Sequence, residues 1–376
     1  MTDALPNEGA SRAAVSAEIR LPTADLTQDM PFFVKTLGFR LDKIFPADNP
    51  AVAVLSGHGL SIRLERGAAE APGTIRLLCD DPAAFAAGRT ELHAPNGTRI
   101  EIVKANPPME RPQTRHAFVV RRLTDQYPWV IGRAGMQYRD LIPDRLGGSI
   151  IASHIRIPDG GPVPDMVHYH TIGFQLIFCY RGWVRLVYED QGPPFILSAG
   201  DCVIQPPEIR HRVLEASDNV EVIEIGVPAE HITTIDHDLE LPTAHFRPDR
   251  DFQGQRFCHH KLAEAVWKPW RIAGFIARDT GIGEATNGVA NVQVAKWRGD
   301  AQSQVTSHKT DILFSFVMEG EMTLAGEGRD PQRLGPGDAF VIPPDMRTSY
   351  MQCSPDLEIL EVSLPQLLET ALHDTL

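Results

Sequence analysis

The chain has 376 residues, a formal net charge of -13, 43% hydrophobic and 23% charged residues. That length calls for two or three compact cores, and so ordinary a composition excludes a disordered or collagen-like chain. The negative charge, with no dense cluster of Lys and Arg, excludes a nucleic-acid backbone as partner.

The opening MTDALPNEGASRAAVSAEIR lacks the basic start and apolar run of a signal peptide. No apolar stretch approaches the roughly 18 to 20 residues of a membrane span, so no membrane partner is expected and the location is read as cytoplasmic. Residues 17–21 alternate like a strand, and residues 25–37 combine an acidic start with helical apolar spacing. GFRLDKIF, AVAVLS and LSIRLER then read as strands, a β-α-β-β-β order. With DLTQDMPFFVKTLGFRL and the closing PNGTRIEIV of residues 95–103, this third of the chain resembles one module of the vicinal oxygen chelate family, the glyoxalase and bleomycin-resistance proteins. The resemblance implies a small α+β domain over residues 15–105. That family pairs two modules around a metal, but here the second is cut down to IRLLCDD and TRIEIVK. Glu101 stands where the family often places a carboxylate ligand; without a histidine in a matching place it is read as a solvated strand residue. The domain is expected to pack, shield or dimerise, which makes a homo-oligomer, most simply a dimer, the expected assembly.

From residue 115 the segments become short, rich in Val, Ile, Phe and Leu, and broken by Gly, Pro and Asp, as in FQLIFCYRGWVRLVYEDQGPP and ILFSFVMEGEMTLAGEG. That is antiparallel sandwich or barrel material. The pattern occurs twice: residues 197–228 align almost without gaps with residues 334–365, Gly182 matches Gly320, and His170 matches His308. Two copies of one fold are expected at 115–232 and 256–369. The polar, proline-bearing stretch 233–255 between them reads as a surface linker.

In the first copy PVPDMVHYHTIGFQLIFCYRG sets out His168, His170, Gln175 and Gly182, and GDCVIQPPEIRH ends on His211. Positions i and i+2 of a strand share a face, so His168 and His170 converge, and Gln175 can return beside them on the next strand. Four ligating residue types at a two-strand corner predict a metal site. The two motifs resemble those of the cupin superfamily, with Gln175 where Glu is usual, Glu208 in place of a Gly and Glu215 in place of an Asn. The resemblance implies a mainly β protein, two tandem cupin jelly-roll barrels preceded by the small α+β (βαβββ) domain. It also implies one divalent metal ion held by His168, His170, Gln175 and His211. Three imidazoles and an amide are all neutral, which leaves the ion its full Lewis acidity, and Fe, Zn, Mn, Ni and Cu all suit such donors. In the second copy Thr306, His308, Leu313 and Thr348 stand opposite these four; one ligand survives, and no tight metal site is expected there.

By strand alternation Arg181 shares the face of Gln175, while His154 and Arg156 lie on a strand leading into the motif. These three are the candidates for meeting a substrate. Glu208 and Glu215 would serve as general bases only if a turn carries them inward, and no catalytic residue is assigned. His259 and His260 read as solvated, WKPWRIAGF at 267–275 as packing between domains, and the five scattered cysteines as reduced structural thiols. A small-molecule substrate is expected. Three functions fit: a dioxygenase of an enolic or aromatic acid substrate; a non-redox isomerase, hydrolase or lyase using the metal as Lewis acid; or a small-molecule-binding barrel without turnover.

Overall fold

The computed structural model describes residues 16–46, 50–125, 128–132, 135–299 and 304–376. They form two compact units, divided between Pro108 and Met109. In the first unit the strand Ile19–Thr23 leads through the helical stretch Leu26–Thr36 to the strands Arg40–Phe45, Val52–Gly57 and Leu60–Arg66. Asp25 caps the helix by accepting from the Thr27 amide. The first strand lies parallel to the last, and the other pairings are antiparallel, giving the expected βαβββ order. A second, three-stranded sheet carries Arg99–Lys104 at its centre. On it Glu101 is held by Arg99 at 2.6 Å and Arg76 at 3.9 Å, a surface ion cluster. No helix among the described residues is long and apolar enough to cross a membrane.

The second unit holds two jelly-roll barrels of matching strand order. In the first, a seven-stranded sheet centred on Phe174–Arg181 and Val220–Val227 faces a sheet containing Trp183–Tyr188, His211–Ala216 and His168–Thr171. In the second, the sheet of Ile312–Glu319 and Glu358–Leu364 faces that of Met322–Gly326, Thr348–Met351 and Val305–His308. Strand alternation gives each large sheet two apolar faces. Phe174, Leu176 and Phe178 pack against Phe314, Phe316 and Met318 in the seam between the barrels, whereas Cys179 and Val203 fill the first barrel and Leu313 and Val317 the second. Each fully buried side chain of this size contributes about 1.5–3 kcal/mol.

The barrels are not consecutive beads. Val119–Arg121, which precedes the first barrel in sequence, pairs with Ala339–Ile342 of the second. Cys258–His260, which precedes the second, pairs with Cys202–Ile204 of the first. Two buried arginines lock this exchange symmetrically: Arg139 donates to the Gly337 carbonyl at 2.5 Å and Arg278 to the Gly200 carbonyl at 2.6 Å. Asp338 and Asp201 then accept from the Leu123 and Leu262 amides, both at 2.7 Å. Cutting the chain at 232 and 256 therefore does not separate the barrels.

Three expectations change. His259 and His260 are half-buried strand residues, His259 stacked on Phe195 at 4.4 Å, because their strand completes the first barrel's sheet. Residues 233–255 lie largely at the surface, as expected, but also wrap the first barrel: Ile232–Ile235 pairs with His168–Thr171, Phe252 joins the core, and Gln255 donates to the Gly173 carbonyl at 2.6 Å. Of the stretch 267–275, Trp267 packs against the seam between the barrels as expected, whereas Trp270 and Arg271 sit in and against the second barrel's interior.

Candidate metal centre

His168 and His211 are direct cross-strand partners in an antiparallel ladder, and His170 follows His168 on the same face. The ring centroids lie 4.2 Å (His168 to His211), 5.2 Å (His168 to His170) and 5.3 Å (His170 to His211) apart. One nitrogen of each comes within 4.8 Å of the others. The second nitrogen of each ring is engaged outward. His168 Nδ1 donates to the Met166 carbonyl at 2.8 Å and His211 Nδ1 to the Ile209 carbonyl at 2.9 Å, which leaves Nε2 of both as the lone-pair nitrogen. His170 Nδ1 shares a 2.9 Å hydrogen bond with the Thr233 hydroxyl. Asp165 fixes the approach to the motif, accepting from the Met166 and Val213 amides at 2.9 Å. Tyr188 stacks on His211 and accepts from Gln205 at 2.8 Å.

Gln175 lies on the facing sheet, 1% exposed, with its neighbours Phe174 and Leu176 turned into the seam. Its amide Nε2 donates to Glu224 at 2.6 Å, and its Oε1 is buried without a hydrogen-bond partner. A buried, orphaned amide oxygen is costly unless something with positive character meets it. The three convergent imidazoles, two of them fixed in the ligating tautomer, fit a divalent metal ion, and the orphaned oxygen is a donor of the kind such an ion takes.

His170 and His211 border a cavity of about 320 Å³ inside the barrel. Its walls are aliphatic, from Ile151, Ile155, Ile177, Leu186, Val213 and Val222, and its polar groups include His170, His211, His231, Thr233, Gln205 and Glu224. Cys179, also in the barrel core, is an inert thiol: burial pushes it up to about 12.

The proposed substrate contacts do not converge here. On Ile151–Ile157 the cavity is lined by Ile151, Ser153, Ile155 and Ile157, so the alternating His154 and Arg156 point into the seam. His154 accepts from Arg139 at Nδ1 (3.1 Å), donates to Glu221 at Nε2 (2.6 Å), and is held below the ordinary imidazole range by burial. Arg156 donates to Gln137 at 2.8 Å and stacks over Trp129 at 4.7 Å. Arg181 fails for a different reason: a bulge after Cys179 breaks the alternation, and its guanidinium lies over Tyr180, half-exposed, 3.8 Å from Glu221. Glu208 occupies a turn at φ +63°, the left-handed region where Gly is favoured, and Glu215 pairs weakly with Arg185 at 3.9 Å.

Three cavity residues escape sequence reading. Glu224 carried a signal, because Val220, Val222 and Glu224 share one face of VEVIEIGV and a carboxylate there interrupts an apolar row. His231 lies at the end of the expected first copy, and Thr233 opens the stretch read as a linker. His231 is 5.3 Å from His170, and Gly226 makes room for it: a Cβ at 226 would come 3.3 Å from its ring.

In the second barrel Thr306 is the cross-strand partner of Thr348, as His168 is of His211. Leu313 belongs to the core and His308 lies within 3.1 Å of the Ile342 carbonyl. Burial pushes His308 down to about 4. An unfolded imidazole titrates near about 6.5, so below that pH the unfolded chain takes up a proton that the fold refuses. The stability of this barrel should be intact above about pH 6.5 and fall as pH drops toward 4, by up to about 1.4 kcal/mol per pH unit. Urea melts across that range should show a shallower acid limb for His308→Gln; an identical limb would assign the loss to other groups.

No family model matches the chain, and no curated protein matches it in sequence. Solved structures do match in fold. A single-residue mutant of salicylate 1,2-dioxygenase from Pseudoaminobacter salicylatoxidans is 14% identical, with a TM-score of 0.52 over 71% of this chain and 91% of that one. Another mutant of that enzyme, in complex with gentisate, is 15% identical, with a TM-score of 0.52 over 72% and 89%. A mutant of oxalate decarboxylase from Bacillus subtilis is 11% identical, with a TM-score of 0.50 over 72% and 82%. At such identities the likeness is one of fold, and the fold is that of cupin proteins.

Proposed function

We propose that the chain is a metal-dependent cupin enzyme acting on a small oxygen-bearing organic molecule, and that its reaction is dioxygenation of an enolic substrate. The observation that carries this reading is the convergence of three imidazoles at an apolar cavity, with the orphaned amide oxygen of Gln175 as a fourth donor. His168, His170, Gln175 and His211 would hold the ion, which when bound supplies Lewis acidity and, for Fe, Mn, Ni or Cu, a redox couple. The aliphatic walls take the apolar body of the substrate and exclude water. His231, Thr233 and Gln205 offer hydrogen bonds at the polar end. Among the described residues no Lys or Arg lines the cavity, which favours an enol over a free aromatic acid. Dioxygenase and decarboxylase among the fold neighbours agree with small oxygenated substrates.

A second reading, non-redox isomerase, hydrolase or lyase chemistry, draws on Glu224, a carboxylate bordering the same cavity and able to move a proton. The amino-terminal unit, with its first and last strands parallel at the sheet edge, we read as a module of the vicinal oxygen chelate type.

The deciding experiment is elemental analysis of protein purified without added metal, followed by oxygen-electrode traces on adding enols and aromatic acids. Iron with oxygen consumption on an enol is the expected result. Zinc or manganese without oxygen uptake would move the protein to the second reading, and metal without turnover of any candidate would leave a binding barrel.

A further inference from the structure

The two barrels carry the same carboxylate at the same interior position and satisfy it differently. Sequence alignment sets Glu224 opposite Glu361, and the ladders agree: Glu224 lies across from Ser153 and Ile177, Glu361 across from Gln293 and Ser315. Glu361, 3% exposed, is gripped by the Arg271 guanidinium through Nη2 and through Nε at 3.1 Å. Where the metal ligands are missing, an arginine supplies the positive partner. In the first barrel the residue that meets the carboxylate is Gln175, at 2.6 Å.

That contact decides how the amide is turned. A carboxylate oxygen without a proton can only accept, and the one that meets Gln175 accepts from Nε2, which turns the amide oxygen the other way. The Oε1 so displayed is buried and has no hydrogen-bond partner. With the amide reversed, Nε2 would be presented instead, a donor with no lone pair for a cation. We propose that Glu224 is a positioning residue for the metal, holding the Gln175 amide so that its oxygen serves as the fourth ligand. This rests on the reading of the first barrel as a metal centre. In the second barrel Leu313 replaces the amide, the carboxylate has nothing to orient, and Arg271 takes over its charge.

The test is the affinity of the full-length protein for Co(II) and for Zn(II), measured by competition with a chromogenic chelator. Wild type, Glu224→Gln, Gln175→Ala and the double variant form a cycle, with circular dichroism as a check on folding. Glu224→Gln should weaken binding about 10- to 100-fold, Gln175→Ala by at least as much, and the double variant should be far less than multiplicatively worse, because Glu224 acts through Gln175. The visible Co(II) spectrum of Glu224→Gln should shift toward that of Gln175→Ala, a change in ligand field that a purely structural role would not produce. If Glu224→Gln misfolds, Glu224→Asp, which keeps the acceptor one methylene further away, should give an intermediate affinity. Unchanged affinity in Glu224→Gln, or fully multiplicative losses, would overturn the positioning role while leaving the metal centre standing. A wild type that binds neither ion would overturn the metal-centre reading itself.

Discussion

Replacing His170 by alanine should empty the first barrel of metal, while His308→Ala should leave the metal content unchanged. The two histidines occupy the same position in the duplicated fold, yet their surroundings differ in kind. His170 has His168 and His211 within about 5 Å ring to ring, so its loss removes one of three convergent imidazoles. The affinity should fall by more than the roughly 10- to 100-fold carried by outer partners of a ligand. His308 has Thr306, Leu313 and Thr348 in the matching places. Elemental analysis of the two variants, purified side by side, gives the answer directly, and equal losses would refute a metal-free second barrel.

The largest stability effect should come from Arg271→Ala. The change strands Glu361, 3% exposed, without its cation inside the second barrel. Breaking a buried pair from one side costs about 3–5 kcal/mol, because the remaining charge is left desolvated. The pair as a whole is worth far less than that cost suggests. Arg271→Met combined with Glu361→Leu should be close to wild type or up to about 4 kcal/mol more stable. All five tryptophans, Trp129, Trp183, Trp267, Trp270 and Trp297, lie in the second unit, so intrinsic fluorescence during urea unfolding follows that unit alone. A double variant as unstable as Arg271→Ala would mean that lost packing, and not the stranded charge, dominates.

The duplicated barrel fold and the histidine cluster were legible because both rest on short-range rules. Alternation places His168 and His170 on one face, and the repeated turn sequence marks the second copy even where its ligands are gone. What escaped depends on long-range pairing or on departures from ideal strands. Nothing local announces that Val119–Arg121 leaves its own barrel for the other, and the exchange is what buries His259 and His260. A single bulge after Cys179 was enough to turn Arg181 away from the cavity. For His154 and Arg156 the strand was correctly recognised but its phase was not, and a shift of one residue exchanges cavity for seam. Thr233 was hidden by composition, since a polar stretch with prolines reads as a connector even when part of it is an edge strand beside the histidines.

The exchanged strands have a consequence for how the protein is made. As the chain leaves the ribosome, the first barrel has its three clustered histidines by residue 211 but lacks a sheet strand until residues 258–260 have emerged. Until then the edge at Cys202–Ile204 is open to pairing with other chains. The second barrel is thus packed into the scaffold of the first.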